Sequence, residues 1–328
     1  MTYCLGLDIG YSNLKMVMGE VGKTPKEMIL PAGAGPSSKL PTQLSSGESE
    51  KAIHIMLNGE SWVAGVPADF LENWERSLAD NYSETLNYRA LFYAALLKTG
   101  RDKIDKLVTG LPVSHYMDFA HREALAESLK GVHQVSAKRS VEVSEVVVLP
   151  QPVGAYMHLL SVSDDDLIDT MEEGNVIVLD PGYFSVDWVA MQGRALRKGS
   201  SGTSHKAMSR ILEVASTLLL SEHGKGACTK EKIENAIRGG KRSVLVFGER
   251  IEIAPYMERA VSEVAPQAMS LMSQAMREEA GGADIVLLAG GGGAAFREEA
   301  RKMFPRSKII LPQSPVLANA QGFWFYGN

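Results

Sequence analysis

Apolar and polar positions follow two rhythms along this chain, and together they predict strands that alternate with helices. Short apolar runs such as residues 3–8 and 176–180 are typical of buried strands. Longer stretches repeat apolar residues at helical spacing, as Leu86 and Ala90 do within residues 83–98. This alternation indicates an α/β fold. Further strands are predicted at 14–20, 53–57, 61–64, 106–111, 141–149, 185–192, 284–288 and 309–311, further helices at 114–129, after Pro152, and at 203–222, 229–237, 254–279, 294–303 and 315–326, and an exposed loop at 33–49.

Two of the predicted strands lead into nearly the same turn, 172 positions apart. Residues 8–15, here called the first turn, begin with Asp8-Ile9-Gly10. Residues 180–187, the second turn, begin with Asp180-Pro181-Gly182. Each segment predicts a buried strand, a tight Asp-x-Gly turn and a returning strand. The repeat therefore implies two similar domains that face one nucleotide.

A turn of this kind brings a carboxylate and backbone N–H groups to one point. This set suits a metal-bound phosphate, because the N–H groups face oxygen atoms and the carboxylate faces the cation. We therefore expect Asp8 and Asp180 to be metal-linked carboxylates. The alternative is that each only caps a hairpin, since Asp-x-Gly turns are common. Lys15, on the returning strand, is placed to reach the β- and γ-phosphates, and its alternative is a solvated strand lysine.

Four consecutive glycines, Gly290 to Gly293, lie between a predicted strand at 284–288 and a predicted helix at 294–303. Glycines at such a junction let the backbone approach a ligand, and a helix N-terminus there favours an anion. The string also fits a dinucleotide fingerprint, but that motif needs an acidic residue about 20 positions further on, and no Asp or Glu follows Glu299. A loop that contacts adenosine fits better, and a purely structural turn is the alternative.

Gln151 stands between two prolines, where the predicted strand at 141–149 passes into a helix. A polar side chain at this junction is well placed to orient a water molecule, and the alternative is a turn residue that resembles an N-cap. Glutamine is a poor proton acceptor at neutral pH, so hydrolysis that depends on it would be slow.

Composition narrows the class of protein only moderately. The chain has 328 residues, 45% hydrophobic and 22% charged, and is long enough for two domains with real cores. Its net charge of -5 argues against a general nucleic-acid coat, so a nucleic-acid partner would need an adaptor protein or a local basic patch. Cys4 lies in a predicted core strand, which argues against a disulfide framework. Because we find no signal peptide and no apolar stretch of membrane-spanning length, we expect a cytoplasmic protein with no membrane partner.

Five segments, taken in order, resemble the motifs of the actin-like ATPase superfamily. The first and second turns are similar to its two phosphate motifs. Residues 151–156 and 319–322 resemble its connecting motifs, and residues 287–296 resemble its adenosine motif. The details of the first turn, together with Leu149-Pro150 before the connecting helix, resemble the plasmid-segregation actins of the ParM/StbA type.

The resemblance implies two ribonuclease H-like (actin-like ATPase) α/β domains with a nucleotide cleft between them. Domain I would hold residues 1–158 plus 312–328, and domain II would hold residues 159–311. ATP or ADP would bind with Mg²⁺ held by Asp8 and Asp180, and Gln151 would place the attacking water. Nucleotide contacts are expected from Gly10, Tyr11, Ser12, Asn13, Lys15, Gly182, Tyr183, Phe184, Gly290, Gly291, Gly292, Gly293 and Phe296.

The resemblance also implies a filament-forming ATPase. Copies of the chain would assemble head to tail into dynamic filaments that segregate plasmids, with a DNA-bound adaptor protein and no direct nucleic-acid contact. Two departures stand out: Gln151 replaces the glutamate usual in ParM-type proteins, and Pro181, Tyr183 and Phe184 replace smaller residues of the second phosphate loop. A small-molecule kinase of the same superfamily and a nucleotide-switched scaffold without hydrolysis are the alternatives.

Overall fold

The computed structural model describes residues 2–41, 52–72, 81–224, 228–276 and 282–328. The chain divides into two compact units, and each is described by itself. Unit 1 comprises Met1–Ile168 and Ser314–Asn328, and unit 2 comprises Asp169–Gln313. Within the described ranges, no helix is both long enough and apolar enough to cross a membrane.

Unit 1 is built on a mixed sheet with the strand order β3-β2-β1-β7-β9-β8. Strand β1 lies inside this sheet, antiparallel to β2 and parallel to β7, and its apolar run is buried accordingly. A smaller antiparallel sheet has the order β4-β6-β5. The strands are β1 (Tyr3–Ile9), β2 (Asn13–Glu20), β3 (Lys26–Pro31), β4 (Gly33–Pro36), β5 (Ile53–Leu57), β6 (Glu60–Val66), β7 (Lys103–Leu111), β8 (Gly131–Ser136) and β9 (Arg139–Pro150).

Two helices of unit 1 pack against each other unusually closely through glycine. A Cβ atom added to Gly322 would lie 1.6 Å from the carbonyl oxygen of Gly154. Only glycine permits this approach, which seats the carboxy-terminal helix against the helix that begins at Gln151. The helices of this unit are α1 (Leu86–Thr99), α2 (Val113–Met117), α3 (Phe119–Leu129), α4 (Gln151–Val162) and α10 (Ala318–Gly327), and α5 (Asp165–Glu173) spans the boundary between the units.

Unit 2 repeats the arrangement around a sheet with the order β12-β11-β10-β16-β17, and β13 also pairs with β11. Strand β10 is antiparallel to β11 and parallel to β16, as β1 is to β2 and β7. A separate hairpin is formed by β14 and β15. The elements are β10 (Asn175–Pro181), β11 (Val186–Gln192), β12 (Ala195–Leu196), β13 (Gly202–Ser204), α6 (Met208–His223), α7 (Lys230–Arg238), β14 (Ser243–Val246), β15 (Glu249–Glu252), α8 (Ala254–Ala275), β16 (Ile285–Leu288), α9 (Arg297–Met303) and β17 (Lys308–Ile310).

Some sequence-based predictions were wrong in detail. The expected exposed loop at 33–49 begins with the buried strand β4, which pairs with β6, and residues 42–49 lie outside the described residues. The helix expected at 114–129 is two helices, because Asp118 leaves the helical conformation and caps α3. The helix expected from residue 203 starts only at Met208, because residues 202–204 pair with β11 as β13.

Candidate functional site

The first turn joins β1 to β2 and places Asp8 directly opposite Lys15 in the antiparallel register. Residues opposite each other in such a pair lie on the same face. The Lys15 Nζ atom lies 2.8 Å from Asp8 Oδ2, and the Asp8 side chain is only 1% exposed. The Gly10 N–H closes the turn by donating to the Asn13 carbonyl at 3.0 Å. The turn therefore presents a buried carboxylate that is already paired with a cation.

Gln151 reaches the same carboxylate from a different element. It is the first residue of α4, and its Nε2 atom lies 3.4 Å from Asp8 Oδ1. Gly110 makes room for it, since a Cβ at that position would come within 2.9 Å of Gln151 Cγ. The structure thus brings together three residues that the sequence singled out: Asp8, Lys15 and Gln151.

A pair of tyrosines braces the first turn, and one of them was missed by the sequence analysis. The rings of Tyr11 and Tyr82 stack with centroids 4.2 Å apart, and the Tyr82 hydroxyl donates to the Gly10 carbonyl at 3.3 Å. Tyr88 packs edge-on against Tyr82, and burial raises the pKa of Tyr88 well above its ordinary value. The N–H of Ala32, the residue just before β4, donates to the Ser12 carbonyl. Tyr82 sits in a short 3₁₀ turn, where no sequence motif pointed to the site.

The second turn has the same closure but a different charge pattern. The Gly182 N–H donates to the Ser185 carbonyl at 2.8 Å, as Gly10 does to Asn13. The register places Asp180 opposite Asp187, so a carboxylate occupies the position that Lys15 holds in unit 1. Both carboxylates are buried. The sequence analysis quoted Asp187 within the repeat but gave it no role.

Hydroxyl groups hold Asp187 in place. The Ser185 hydroxyl donates to one of its carboxylate oxygens at 2.6 Å, and the Thr203 hydroxyl donates to the other at 2.6 Å. Thr203 lies on β13, opposite Asp187, in a segment that the sequence predicted as the start of a helix. Each oxygen of the Asp187 carboxylate therefore accepts a hydrogen bond from a hydroxyl group. The second turn therefore carries two neighbouring acidic side chains on one face.

The second turn also anchors the start of α6. The Met208 and Ser209 N–H groups donate to the Gly182 and Tyr183 carbonyls at 3.3 and 2.7 Å. The Phe184 ring lies 5.0 Å from the His205 ring. Phe184, one of the larger residues in this loop, thus packs against the segment that leads into α6.

The glycine run packs onto the second turn. A Cβ at Gly290, whose φ is +68°, would lie 2.1 Å from Asp180 Oδ1, and the Gly292 N–H donates to the Pro181 carbonyl at 2.9 Å. This proximity arises because β16 runs parallel to β10, so that both strands end at the same edge of the sheet. The backbone continues in turns, and α9 begins only at Arg297, so the expected helix start at residue 294 was wrong. Gly291 is exposed and Gly293 buried. Phe296, expected to contact nucleotide, is fully buried in the core of unit 2.

The acidic side chains fit a hydrated magnesium ion better than a fully protein-built metal cage. Mg²⁺ prefers oxygen ligands and keeps several waters, so one or two carboxylates suffice. Asp180 and Asp187 supply such oxygens on one face of β10 and β11. Among the residues that the structure describes, no group of three or more His, Cys, Asp or Glu side chains is placed to hold a metal.

Family comparisons match both units. Residues 6–154 match the model for the N-terminal domain of actin-like proteins. Residues 178–302 match the model for the C-terminal domain of the archaeal, MreB-like actin homologues. A search of curated protein sequences gives no match. The chain therefore belongs to the actin-like superfamily, and the resemblance drawn from its five motifs is confirmed.

Solved structures give the same fold. A non-polymerisable quadruple mutant of the pCBH ParM protein is 18% identical, with a TM-score of 0.77 over 100% of this chain and 99% of that one. The archaeal actin homologue Ta0583 in complex with ADP is 17% identical, with a TM-score of 0.75 over 99% and 98%. A 15-stranded ParM filament from Clostridium botulinum is 17% identical, with a TM-score of 0.75 over 99% of both chains. The predicted actin-like α/β fold is thereby confirmed.

Proposed function

We propose that this chain binds Mg-ATP through its first and second turns, hydrolyses it, and assembles into filaments. The observation that carries the proposal is the repeated Asp-x-Gly turn, which holds a buried carboxylate at the same register in each unit. The ADP complex of Ta0583 and the ParM filament support nucleotide binding and assembly by analogy.

In unit 1, Asp8, Lys15 and Gln151 would act together. Lys15 pairs with Asp8 and has donors left to neutralise charge on phosphate oxygens. Gln151 touches the same carboxylate and would hold the attacking water by hydrogen bonds. Because its amide accepts protons poorly, water activation would rest on positioning, and turnover would be slow.

In unit 2, Asp180 and Asp187 would hold Mg²⁺, mostly through water. The bound ion would supply charge neutralisation at the phosphates. Gly290 keeps the backbone against Asp180, where any side chain would collide with the carboxylate. The exposed backbone at Gly291 is the part of the run best placed to contact adenosine.

At the level of the cell, we propose a cytoplasmic filament that segregates plasmids. ParM proteins among the structural neighbours motivate this choice. The net charge of -5 disfavours direct binding to DNA, so a DNA-bound adaptor protein would link filament and plasmid.

Asp180→Asn tests the proposed chemistry. The substitution keeps the shape of the side chain but removes its charge, so we expect phosphate release from Mg-ATP to fall at least about 100-fold. The melting temperature should stay close to that of the wild type. Asp102→Asn, at an exposed position just before β7, is the matched control and should leave turnover unchanged. Wild-type turnover in the Asp180 variant would refute the role assigned to the second turn.

The scaffold alternative draws its support from Gln151, which cannot serve as a general base. ATP-dependent sedimentation of the wild-type chain without phosphate release would favour that alternative.

A further inference from the structure

The β14–β15 hairpin has one buried face and one exposed face. Val244 and Val246 point into the core of unit 2. Leu245, between them, is 50% exposed and lies opposite Arg250 in the register. Alternation along a strand assigns Leu245 and Arg250 to the outward face. The hairpin thus presents an apolar side chain and a cation side by side.

The turn of the hairpin holds Phe247 in an unfavourable conformation. Phe247 and Gly248 have φ angles of 48° and 90°, as the two central residues of a type I′ turn do. Such positions favour Asn, Asp or Gly, and a bulky residue there is an outlier. Phe247 is nevertheless 74% exposed, so little burial offsets the strain. An exposed aromatic ring held at a strained position indicates a functional surface.

Basic side chains outnumber acidic ones near this surface, here called the hairpin tip (Leu245, Phe247 and Arg250). Residues 241–252 hold three basic side chains and two acidic ones, Glu249 and Glu252, both exposed on β15. Lys241 and Arg242 are exposed immediately before β14. The Lys232 ammonium donates to the carbonyl of Leu245 and fastens the hairpin to α7. The hairpin tip is therefore an apolar surface whose neighbouring charges are more basic than acidic.

A surface of opposite charge lies elsewhere on the same chain. Residues 164–173, here called the acidic helix, contain six carboxylates and no basic residue. Asp169 and Glu173 are exposed and one helical turn apart, and Glu172 pairs with Arg194. Val162, exposed at the end of α4, adds an apolar contact next to this charge. Apolar and charged elements therefore complement those of the hairpin tip.

We propose that the hairpin tip docks on the acidic helix of a second copy of this chain. The inference rests on the proposed assembly and assigns a surface to it. Because the two patches are made of different residues, the contact is heterologous and can repeat from copy to copy. Phe247 supplies the anchor, and the opposite charges fix the register of the contact.

Phe247→Asn separates docking from folding. Asparagine suits the turn, so the melting temperature should stay the same or rise. We expect the concentration needed for sedimentation with Mg-ATP to rise at least about tenfold, since an anchor residue is lost. Monomer affinity for Mg-ATP should not change. Phe119→Asn, which removes another exposed phenylalanine, is the matched control and should assemble normally.

Charge reversal tests the partner surface. Two double variants are needed. One carries Arg242→Glu and Arg250→Glu, and the other carries Asp169→Lys and Glu173→Lys. Neither variant should assemble by itself. An equimolar mixture should sediment again, because each acidic hairpin then meets a basic helix of the other variant.

The outcomes distinguish this contact from the proposed function. Two outcomes would overturn the contact but not the proposed filament. In the first, the hairpin variants assemble with Mg-ATP as readily as the wild type does. In the second, the equimolar mixture of charge-reversed variants stays monomeric. A Phe119 variant that loses assembly equally overturns it as well. A wild-type chain that stays monomeric at every concentration and nucleotide state overturns both the contact and the proposed filament.

Discussion

Single residues at the two turns show how one local design carries two charge patterns. Asp8 faces Lys15 in unit 1, whereas Asp180 faces Asp187 in unit 2. The backbone closure is the same in both, through Gly10 and its counterpart Gly182. Under the proposed function, the lysine at one position would provide charge for phosphate oxygens, and the carboxylate at the equivalent position would provide an oxygen for a cation. The two turns therefore share a backbone geometry but differ in the charge that lies opposite the aspartate.

Tyr82→Phe tests whether the brace on the first turn matters for nucleotide binding. The change removes the hydrogen bond to the Gly10 carbonyl and keeps the ring stack with Tyr11. A neutral hydrogen bond contributes about 1 kcal/mol, so we expect Mg-ATP affinity, measured by calorimetry, to fall about fivefold. Tyr93→Phe, in α1 and packed against the same hydrophobic core as Tyr82, serves as the control. Equal affinities for wild type and Tyr82→Phe would remove Tyr82 from the account.

At the scale of elements, long apolar strands were predicted well and short or distant pairings were not. Strands β1, β10 and β16 are buried apolar runs, and the sequence alone identifies them. Strand β4 was missed because its Gly and Pro content is typical of a loop, and only pairing with β6 makes it a strand. Strand β13 was missed because it has only three residues, too few to show an alternation of apolar and polar positions.

The residues of the candidate site also fall into those that the sequence identifies and those that only the fold brings in. The motifs alone identified Asp8, Lys15, Gln151 and Asp180, because each lies at a strand end or a strand-to-helix junction. Tyr82 could not be predicted, because it comes from a separate 3₁₀ turn that reaches the first turn only in the folded unit. Asp187 is the last residue of the repeat 180–187, at the position that corresponds to Lys15. Aligning the two turns residue by residue would have identified it as a candidate site residue.

Gly322→Ala tests the close packing of α4 and α10. A Cβ at this position collides with the Gly154 carbonyl, so the two helices must separate and unit 1 should lose about 3 kcal/mol of unfolding free energy. The urea midpoint of unfolding measures this loss. Gly199→Ala, where an added Cβ meets nothing within 4 Å, should change it little. Matching midpoints for the two variants would show that the helices are not packed as described.

At the scale of the whole molecule, the two units share a strand arrangement and a turn, and each matches a domain model of actin-like proteins. The N-terminal match ends at residue 154, and the C-terminal match begins at residue 178 with the strand that leads into the second turn. Each unit supplies a buried carboxylate at the end of its central strand. The proposed function requires that both carboxylates act on Mg-ATP, and this requirement is the central claim.

Calorimetric titration of Mg-ATP into the wild-type chain, Asp8→Asn and Asp180→Asn tests that claim most directly. We expect one nucleotide per wild-type chain and an affinity about 10- to 100-fold weaker in each variant, because Asp180 would hold the metal and Asp8 positions Lys15 and Gln151. Asp102→Asn, which lies outside both turns, should bind as the wild type does. A wild-type chain that binds no nucleotide, or variants that both bind with unchanged affinity, would contradict the account.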